Sequence, residues 1–206
     1  YDEIYFTNLA TEIRNAFNEK FYQEEKKTYG TGSQCSLSLP LYLGLTPEGD
    51  EKAVLNNLIA DIKKNGNHLT TGDVGNRYLF QTLAENGLDE LMYTMHNHED
   101  VPGYGFQQKF TTLTEQWDPR QGSSWNHFMM GQIDEWFFKS LAGIRSAKPG
   151  MSEVILSPRT VGDLQYVKAS TELLYGRLTV EWKKVGDKIE VKYEAPIGCK
   201  VKLLKE

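Results

Sequence analysis

The chain has 206 residues, which is enough for one large domain or two small ones with a hydrophobic core. Apolar residues make up 39% and charged residues 25%, ordinary values for a globular protein, and no stretch reaches the roughly 18 consecutive apolar residues of a membrane span. The net charge is −5 and no run is strongly basic, which argues against a nucleic-acid partner. Aromatic residues make up 12%, and composition alone favours core packing over stacking on a ligand.

The first part of the chain has the apolar periodicity of helices. We expect five or six helices of roughly 10–20 residues, each burying one apolar stripe and joined by glycine-rich loops. Thr46-Pro47-Glu48 indicates a helix start and Asn65-Gly66 a helix end. The predicted stripes are Leu9, Ile13, Phe17 and Phe21; Ala53, Val54, Leu58 and Ile62; Leu88, Leu91, Met92 and Met95; and Met130, Ile133, Phe137, Leu141 and Ile144.

After Pro149-Gly150 the apolar period becomes two, which predicts strands. Gly186-Asp187 is predicted to form the hairpin turn between two of them. The chain is therefore expected to be an α+β protein in which a helical part, residues 1–146, precedes a small antiparallel β-sandwich, residues 147–206. The strands are marked by Leu178, Val180 and Trp182, by Ile189, Val191 and Tyr193, and by residues 154–156, 166–167 and 201–203.

Five or six helices with broad apolar faces would form only part of a larger toroid. We therefore expect unusually exposed apolar surface, or pairing with another chain. Tyr1 lies inside a helical pattern without a preceding Met, which predicts a piece of a longer polypeptide. Cys35 and Cys199 lie far apart, so a metal site is not expected and a disulfide is disfavoured.

Residues 99–131 are rich in glycine, aromatic residues and carboxylates, and they interrupt the helical period. Ordered loops of this composition often line functional sites. Glu115 lies between Thr114 and Gln116, polar neighbours that suit the ionised general base of an inverting glycoside hydrolase. On spacing alone, a Glu that caps the loop or forms a salt bridge within it is the favoured alternative. Asp118, which precedes a proline, favours a turn role.

The four histidines give weaker signals. His127 could donate a hydrogen bond to a sugar hydroxyl, but a histidine at a helix start is favoured on the residues alone. His96 and His98 stand two apart, so they do not share a helix face and do not predict a metal site. His68, at a helix-to-loop junction, is either structural or close to a site. The chain has no nucleophile elbow, phosphate loop or dinucleotide fingerprint.

Six motifs, in their order and spacing, resemble the α-L-rhamnosidases of glycoside hydrolase family 78. Thr-Thr-Leu-Thr-Glu-Gln-Trp-Asp at 111–118 and Ser-Trp-Asn-His at 124–127 carry the candidate site residues. Pro158-Arg159, Ala169-Ser170 and Tyr175-Gly176 resemble the family's C-terminal β-domain. The other motifs are residues 34–45, 68–80, 102–105 and 134–144.

The resemblance implies that residues 1–146 form the second half of an (α/α)6 barrel and that 147–206 form the C-terminal β-sandwich. It implies an inverting hydrolase of terminal α-L-rhamnosides, on pectic polysaccharides or rhamnosylated small molecules. Glu115 falls on the general base and His127 on a histidine of the sugar site, with Trp117 and Trp125 as candidate pocket walls. The general acid is expected upstream, in the missing half of the barrel, so this chain alone is expected to be inactive. No cofactor or metal is implied, and a periplasmic or secreted protein is expected.

Three positions depart from the family's pattern. The family usually has Trp before the catalytic Glu and Arg after it, whereas this chain has Thr114 and Gln116, and Asp73 stands where many members carry an apolar residue. Substrate preference is therefore expected to differ. Two alternatives stay open: an inactive rhamnosidase homologue, and a non-catalytic carbohydrate-binding module that uses Trp182 and Tyr193. The period of two points both rings towards the core, which favours packing over binding.

Overall fold

The structure is a computed structural model that describes residues 2–186 and 188–204. Its helical part begins with a long helix and a short two-stranded hairpin, followed by helices of four to fourteen residues. Single turns of 3₁₀-helix connect several of these elements. The elements are α1 (Asp2–Phe21), β1 (Tyr22–Gln23), β2 (Thr28–Tyr29), α2 (Gln34–Tyr42), α3 (Glu51–Lys64), α4 (Asp73–Glu85), α5 (Asp89–His96), α6 (Tyr104–Gln107) and α7 (Ile133–Trp136).

Helix α3 confirms its predicted stripe, because Val54, Leu58 and Ile62 recur every four residues and are fully buried. Its predicted end is also confirmed: Asn65 caps the helix, and Gly66 has a φ of 65°, a left-handed conformation that costs glycine little. Helix α2 packs against both α3 and α4, so these helices share one core.

The predicted start of α3 at Thr46–Glu48 is wrong, because the helix begins at Glu51. Residues 47–50 form a turn instead, closed by the bond from Asp50 N to Pro47 O at 3.0 Å. The Asp50 carboxylate accepts a hydrogen bond from the Tyr22 hydroxyl at 2.7 Å and pairs with Lys27 at 2.9 Å. These contacts come from residues distant in sequence. They stabilise the turn, although the local sequence favours a helix start.

Helix α1 does not bury its predicted stripe, since none of its described residues is buried. Ile13 is 55% exposed, and Ile4, Tyr5 and Phe6 are each more than 60% exposed. The prediction of unusually exposed apolar surface is therefore confirmed on this helix. No helix in the described ranges is both long enough and apolar enough to cross a membrane.

A second compact unit contains residues 131–206 together with residues 87–93. Its described part holds two three-stranded sheets, in the orders β3-β4-β8 and β5-β6-β7. The predicted strands are confirmed, but β8 pairs with β4 in parallel, because the chain passes through the other sheet before it returns. The strands are β3 (Ile144–Ser146), β4 (Glu153–Leu156), β5 (Tyr166–Leu173), β6 (Gly176–Val185), β7 (Lys188–Glu194) and β8 (Lys200–Leu203).

Strands β6 and β7 form the predicted antiparallel pair, with Val185 opposite Lys188. Gly186 connects them, whereas Asp187 of the predicted turn lies outside the described residues. The two sheets enclose one apolar core. Trp182 of β6 is also fully buried, and its indole N–H donates to Leu141 O at 2.7 Å. Tyr193 lies opposite Val180 and therefore faces the predicted side of the sheet, but it stays 43% exposed because β7 is an edge strand. Trp182 is therefore inaccessible to a ligand, so one of the two aromatic residues of the alternative carbohydrate-binding module could not bind a glycan.

The single helix predicted from Met130 to Ile144 is wrong. Residues 128–132 form 3₁₀ turns, α7 follows, residues 137–141 form a π-helical turn, and Ile144 lies in β3. Gly143 ends the helical path with a φ of 73°, and a Cβ placed there would lie 2.1 Å from the backbone nitrogen of Pro158. Only glycine fits this turn. The predicted division between residues 146 and 147 stays a prediction, although β3 already belongs to a sheet of the second unit.

Buried Asp89 ties the start of α5 into the second unit. Its carboxylate accepts a hydrogen bond from the indole N–H of Trp136 at 2.8 Å and forms an ion pair with Arg159. In the same helix, the Glu90 carboxylate accepts a hydrogen bond from the Gly162 backbone at 3.1 Å, and the Tyr93 hydroxyl bonds to Asp163. Residues 87–93 are thus joined by polar contacts to residues 159–163.

Candidate active site

Glu115 and His127 lie on two loop segments that run antiparallel and are hydrogen-bonded to each other. The backbone N–H of Glu115 donates to Ser124 O at 3.0 Å, and that of His127 donates to Leu113 O at 3.1 Å. The backbone N–H of Ser124 donates in return to Oε2 of Glu115 at 3.1 Å. Glu115 and His127, which belong to separate sequence motifs, are therefore held on one pair of hydrogen-bonded loop segments.

The Glu115 side chain is exposed, and its described hydrogen bond is the one from Ser124. Within the part of the chain that the structure describes, Glu115 takes part in no ion pair. Among the described residues Glu115 is therefore not locked in a salt bridge within the loop. A capping role applies to one of its two oxygens, the one that accepts the hydrogen bond from Ser124. A carboxylate held by a backbone N–H, with its other oxygen open, can accept a proton from water.

Buried Gln107 underlies the segment that carries Glu115. Gln107 is 2% exposed and Thr114 is fully buried. Oε1 of Gln107 lies 3.2 Å from the backbone nitrogen and 2.9 Å from the hydroxyl of Thr114. Its Nε2 donates to Trp117 O at 3.0 Å and lies 3.3 Å from Gln116 O. Sequence reasoning missed this residue; the available signal was its spacing of three from Tyr104, which puts both on one face of a helix.

The Gly103-Tyr104-Gly105 motif seats α6 close to the preceding loop. A Cβ on Gly103 would lie 2.4 Å from His98 O, and a Cβ on Gly105 would lie 2.7 Å from the same oxygen. Any larger residue would push α6 away from the loop. The Tyr104 hydroxyl donates to Met130 O at 2.6 Å and fixes the helix from its other side. The glycines of this motif therefore serve packing.

Trp117 and Trp125 differ in what they can offer a ligand. The indole N–H of Trp117 donates to Thr71 O at 2.8 Å, and its ring packs edge-on against Tyr104 at 5.1 Å. Trp117 is therefore committed to holding the loop. Trp125 is 51% exposed and contacts Phe110 edge-on at 5.1 Å. Its free ring surface suits a pocket wall better than Trp117 does.

The His127 ring has a defined hydrogen-bond polarity. The backbone N–H of Met129 donates to its Nδ1 at 3.4 Å, so Nδ1 acts as the acceptor. In a neutral imidazole the proton then resides on Nε2, which is left as a donor. An N–H donor at this position can form a hydrogen bond with the oxygen of a sugar hydroxyl.

Asp118 has the turn role predicted for it. Its carboxylate accepts a hydrogen bond from the Arg120 backbone at 3.2 Å and caps the 3₁₀ turn 119–121. The Arg120 side chain bonds it at 2.7 and 2.8 Å, and this contact lowers the pKa of Asp118. Arg120 is thus committed to Asp118 and does not replace the cation that is absent at Gln116.

His96 and His98 contact different rings, as the sequence predicted for two positions that do not share a helix face. His96 is buried and stacks on Tyr104 at 5.1 Å, whereas His98 stacks on His68 with centroids 3.8 Å apart and planes 22° from parallel. Asp100, which sequence reasoning missed, lies 2.9 Å from Nε2 of His68 and 3.7 Å from Nδ1 of His98. The three side chains are close enough to be considered for a metal ion. The shorter of the two contacts to Asp100 is the one from His68, which forms a hydrogen-bonded pair with it.

The His68–Asp100 pair gives a testable titration. Nδ1 of His68 lies 3.2 Å from Asn65 O and Nε2 faces the carboxylate, so both nitrogens meet acceptors and the protonated ring is favoured. The pKa of His68 is raised above 6.5, chiefly by the hydrogen bond with Asp100, while partial burial acts in the opposite direction. Because the folded-state pKa is the higher one, the stabilisation is complete below the unfolded pKa and is lost as pH rises through the folded pKa.

We expect Asp100→Asn to lower the pKa of His68, measured by NMR titration of its ring protons. The matched control is Glu99→Gln, which removes the neighbouring exposed carboxylate and should leave the His68 titration unchanged. The His98 ring, which stacks on His68, is also titratable, so its resonances should be followed in the same spectra. A wild-type His68 that titrates at its ordinary value would contradict the ion pair.

Comparisons with known proteins extend over almost the whole chain. Residues 1–141 match the model of the bacterial α-L-rhamnosidase six-hairpin glycosidase domain, and residues 143–205 match that of the bacterial α-L-rhamnosidase C-terminal domain. An α-L-rhamnosidase of Formosa agariphila is 30% identical over 204 residues, covering 93% of this chain and 21% of that protein. An α-L-rhamnosidase of Streptomyces avermitilis is 28% identical over 190 residues, covering 87% and 18%.

Solved structures give the same result. The α-L-rhamnosidase from Dictyoglumus thermophilum superposes with a TM-score of 0.90 at 36% identity, covering 98% of this chain and 24% of that one. The Streptomyces avermitilis α-L-rhamnosidase complexed with L-rhamnose superposes with a TM-score of 0.89 at 25% identity, covering 96% and 20%. The chain thus spans about a fifth of the length of the curated relatives it matches.

Proposed function

Since this chain belongs to the bacterial α-L-rhamnosidase family, we propose that the protein containing it hydrolyses terminal α-L-rhamnosides with inversion of configuration. The observation that carries the proposal is Glu115, an exposed carboxylate on the same hydrogen-bonded loop pair as His127. The solved relative that holds L-rhamnose supports this class of sugar.

Glu115 acts as the general base in this proposal. Its open oxygen takes a proton from a water molecule, whose oxygen attacks the anomeric carbon while the glycosidic C–O bond breaks. A general acid protonates the departing oxygen from the opposite side of the sugar. Because this chain spans about a fifth of its relatives, we place that acid in the part of the protein outside the chain. The exposure of Glu115 fits a site whose other wall is supplied there.

His127 and Trp125 would hold the sugar. Nε2–H of His127 donates to a sugar hydroxyl, because its Nδ1 is already occupied by Met129. The exposed ring of Trp125 offers an apolar face to the C–H groups of the sugar. Trp117 is not proposed to contact the sugar. Its N–H is bonded to Thr71, so it supports the loop that carries Glu115.

The exposed apolar side chains of α1 support the proposal that the rest of the barrel docks on this helix. We assign residues 1–146 to half of an (α/α)6 barrel and residues 147–206 to the C-terminal domain. The remaining helices would cover Ile4, Tyr5 and Phe6, which are each more than 60% exposed. Large apolar side chains exposed in this number are typical of a surface that another part of the protein covers.

The decisive test is the stereochemistry of the product. We expect the full-length protein to hydrolyse an aryl α-L-rhamnoside, and proton NMR to detect β-L-rhamnose as the first product before mutarotation. The 206-residue chain alone, assayed in parallel, should be inactive because it lacks the acid. The α-anomer as first product would contradict a base mechanism, and a full-length protein that leaves the rhamnoside intact would contradict the function.

A further inference from the structure

A general base must be held in place, yet Glu115 lies in a loop outside any helix or strand. Misplacing a catalytic group by about 1 Å can cost on the order of 10²-fold in rate. The contact from Ser124 fixes one oxygen of the side chain, but the backbone on both sides of Glu115 also needs an anchor. This anchor has to come from a rigid element beneath the loop.

Gln107 reaches the residues on both sides of Glu115. Its amide oxygen lies within hydrogen-bond distance of the N–H and hydroxyl of Thr114, the residue before the base. Its amide nitrogen lies within hydrogen-bond distance of the carbonyls of Gln116 and Trp117, the two residues after it. A primary amide accepts and donates hydrogen bonds at the same time, so Gln107 can bind the backbone on both sides of the base. A carboxylate could serve only the Thr114 side.

Gln107 is itself rigidly placed. It is 2% exposed and ends α6, which is seated against the preceding loop at Gly103 and fixed by the bond from Tyr104 to Met130. Its side chain is buried beneath the loop and faces the backbone, whereas Glu115 is exposed. Resting on the proposed function, we infer that Gln107 is a positioning residue that sets the location of the base.

Gln107→Met in the full-length protein tests the inference, because methionine has a similar length and makes none of these hydrogen bonds. We expect kcat on an aryl α-L-rhamnoside to fall about 10- to 100-fold, with KM changing less than about twofold. Gln107→Glu keeps the shape and the acceptor side but sets an oxygen against the carbonyls of Gln116 and Trp117, so its kcat should fall as well. The matched control is Gln108→Met, an exposed neighbour whose kcat should stay within about twofold of wild type.

Added azide separates misplacement of the base from loss of folding. Azide is already anionic and needs no base: it attacks the anomeric carbon as the glycosidic bond breaks, while the general acid still protonates the departing oxygen. The product is a β-L-rhamnosyl azide. We expect azide to accelerate Gln107→Met and Glu115→Ala, and to leave wild type and Gln108→Met unchanged. An unfolded enzyme would gain nothing from azide.

The outcomes are distinguishable. A wild-type protein that does not hydrolyse the rhamnoside contradicts the proposed function. If wild type is active and Glu115→Ala responds to azide, then an unaltered kcat in Gln107→Met overturns the inference about Gln107. Lost activity without an azide response in both Gln107→Met and Gln107→Glu also overturns it, because the role would then be folding alone.

Discussion

Glu115→Gln in the full-length protein is expected to lower kcat on an aryl α-L-rhamnoside by about 10²- to 10⁴-fold, the usual contribution of general acid–base catalysis. Glutamine has the shape of glutamate, and its amide oxygen can still accept the hydrogen bond from Ser124. What it loses is the ability to take a proton from water. Because Glu115 is exposed, no core packing is disturbed and the unfolding temperature should stay close to that of wild type.

The measurement is steady-state kinetics with thermal unfolding of the same preparations. KM should change much less than kcat, since His127 and Trp125, not Glu115, are proposed to hold the sugar. Glu85→Gln, an exposed carboxylate at the end of α4, is the control and should keep wild-type turnover. Undiminished hydrolysis by Glu115→Gln would remove Glu115 from the mechanism and leave the fold assignment intact.

Of the variants proposed for this protein, Asp89→Ala should lose the most stability, about 3 kcal/mol in the free energy of unfolding. The change takes the charged partner from Arg159 and an acceptor from the indole of Trp136, in a place where Asp89 is only 4% exposed. We place the value at the lower end of the range for buried pairs because the Arg159 side chain keeps 23% exposure. Circular dichroism should show a midpoint lower by roughly 10 °C.

A double variant tests the cause of that loss. Asp89→Ala with Arg159→Met removes both charges, so part of the lost stability should return. The control is Asp134→Ala, which also removes an aspartate from the first turn of a helix in the same unit, but an exposed one. Its midpoint should hardly move. Equal effects of Asp89→Ala and Asp134→Ala would mean that the buried network contributes little.

The period of apolar residues predicted α3 and the strands of the sandwich well, because their stripes are buried against neighbours within the chain. The same signal was wrong about burial on α1. Periodicity shows that a helix is amphipathic but does not reveal whether a partner is present, and here the described chain leaves Ile13 exposed. Between Met130 and Ile144 the spacing still fits a helix, but Gly143 and the close approach of Pro158 break it.

The sequence likewise predicted only some of the residues of the candidate site. Glu115 and His127 could be singled out because motifs carry them in the sequence. Gln107 and Asp100 could not, because their roles depend on contacts with Thr114 and His68 that are set by the folded loops. In sequence Gln107 precedes another Gln and a Lys, which is typical of a solvated surface, whereas the fold buries it.

The participation of residues 87–93 in the second unit limits how this protein can be recombined. A chain that begins at residue 147 would lack β3, the carbonyl that binds Trp182, and every contact from α5. A chimaera that exchanges only the C-terminal domain with a relative would set foreign residues against Asp89, Glu90 and Tyr93. Functional hybrids should therefore require that this short stretch of helix travels with the sandwich.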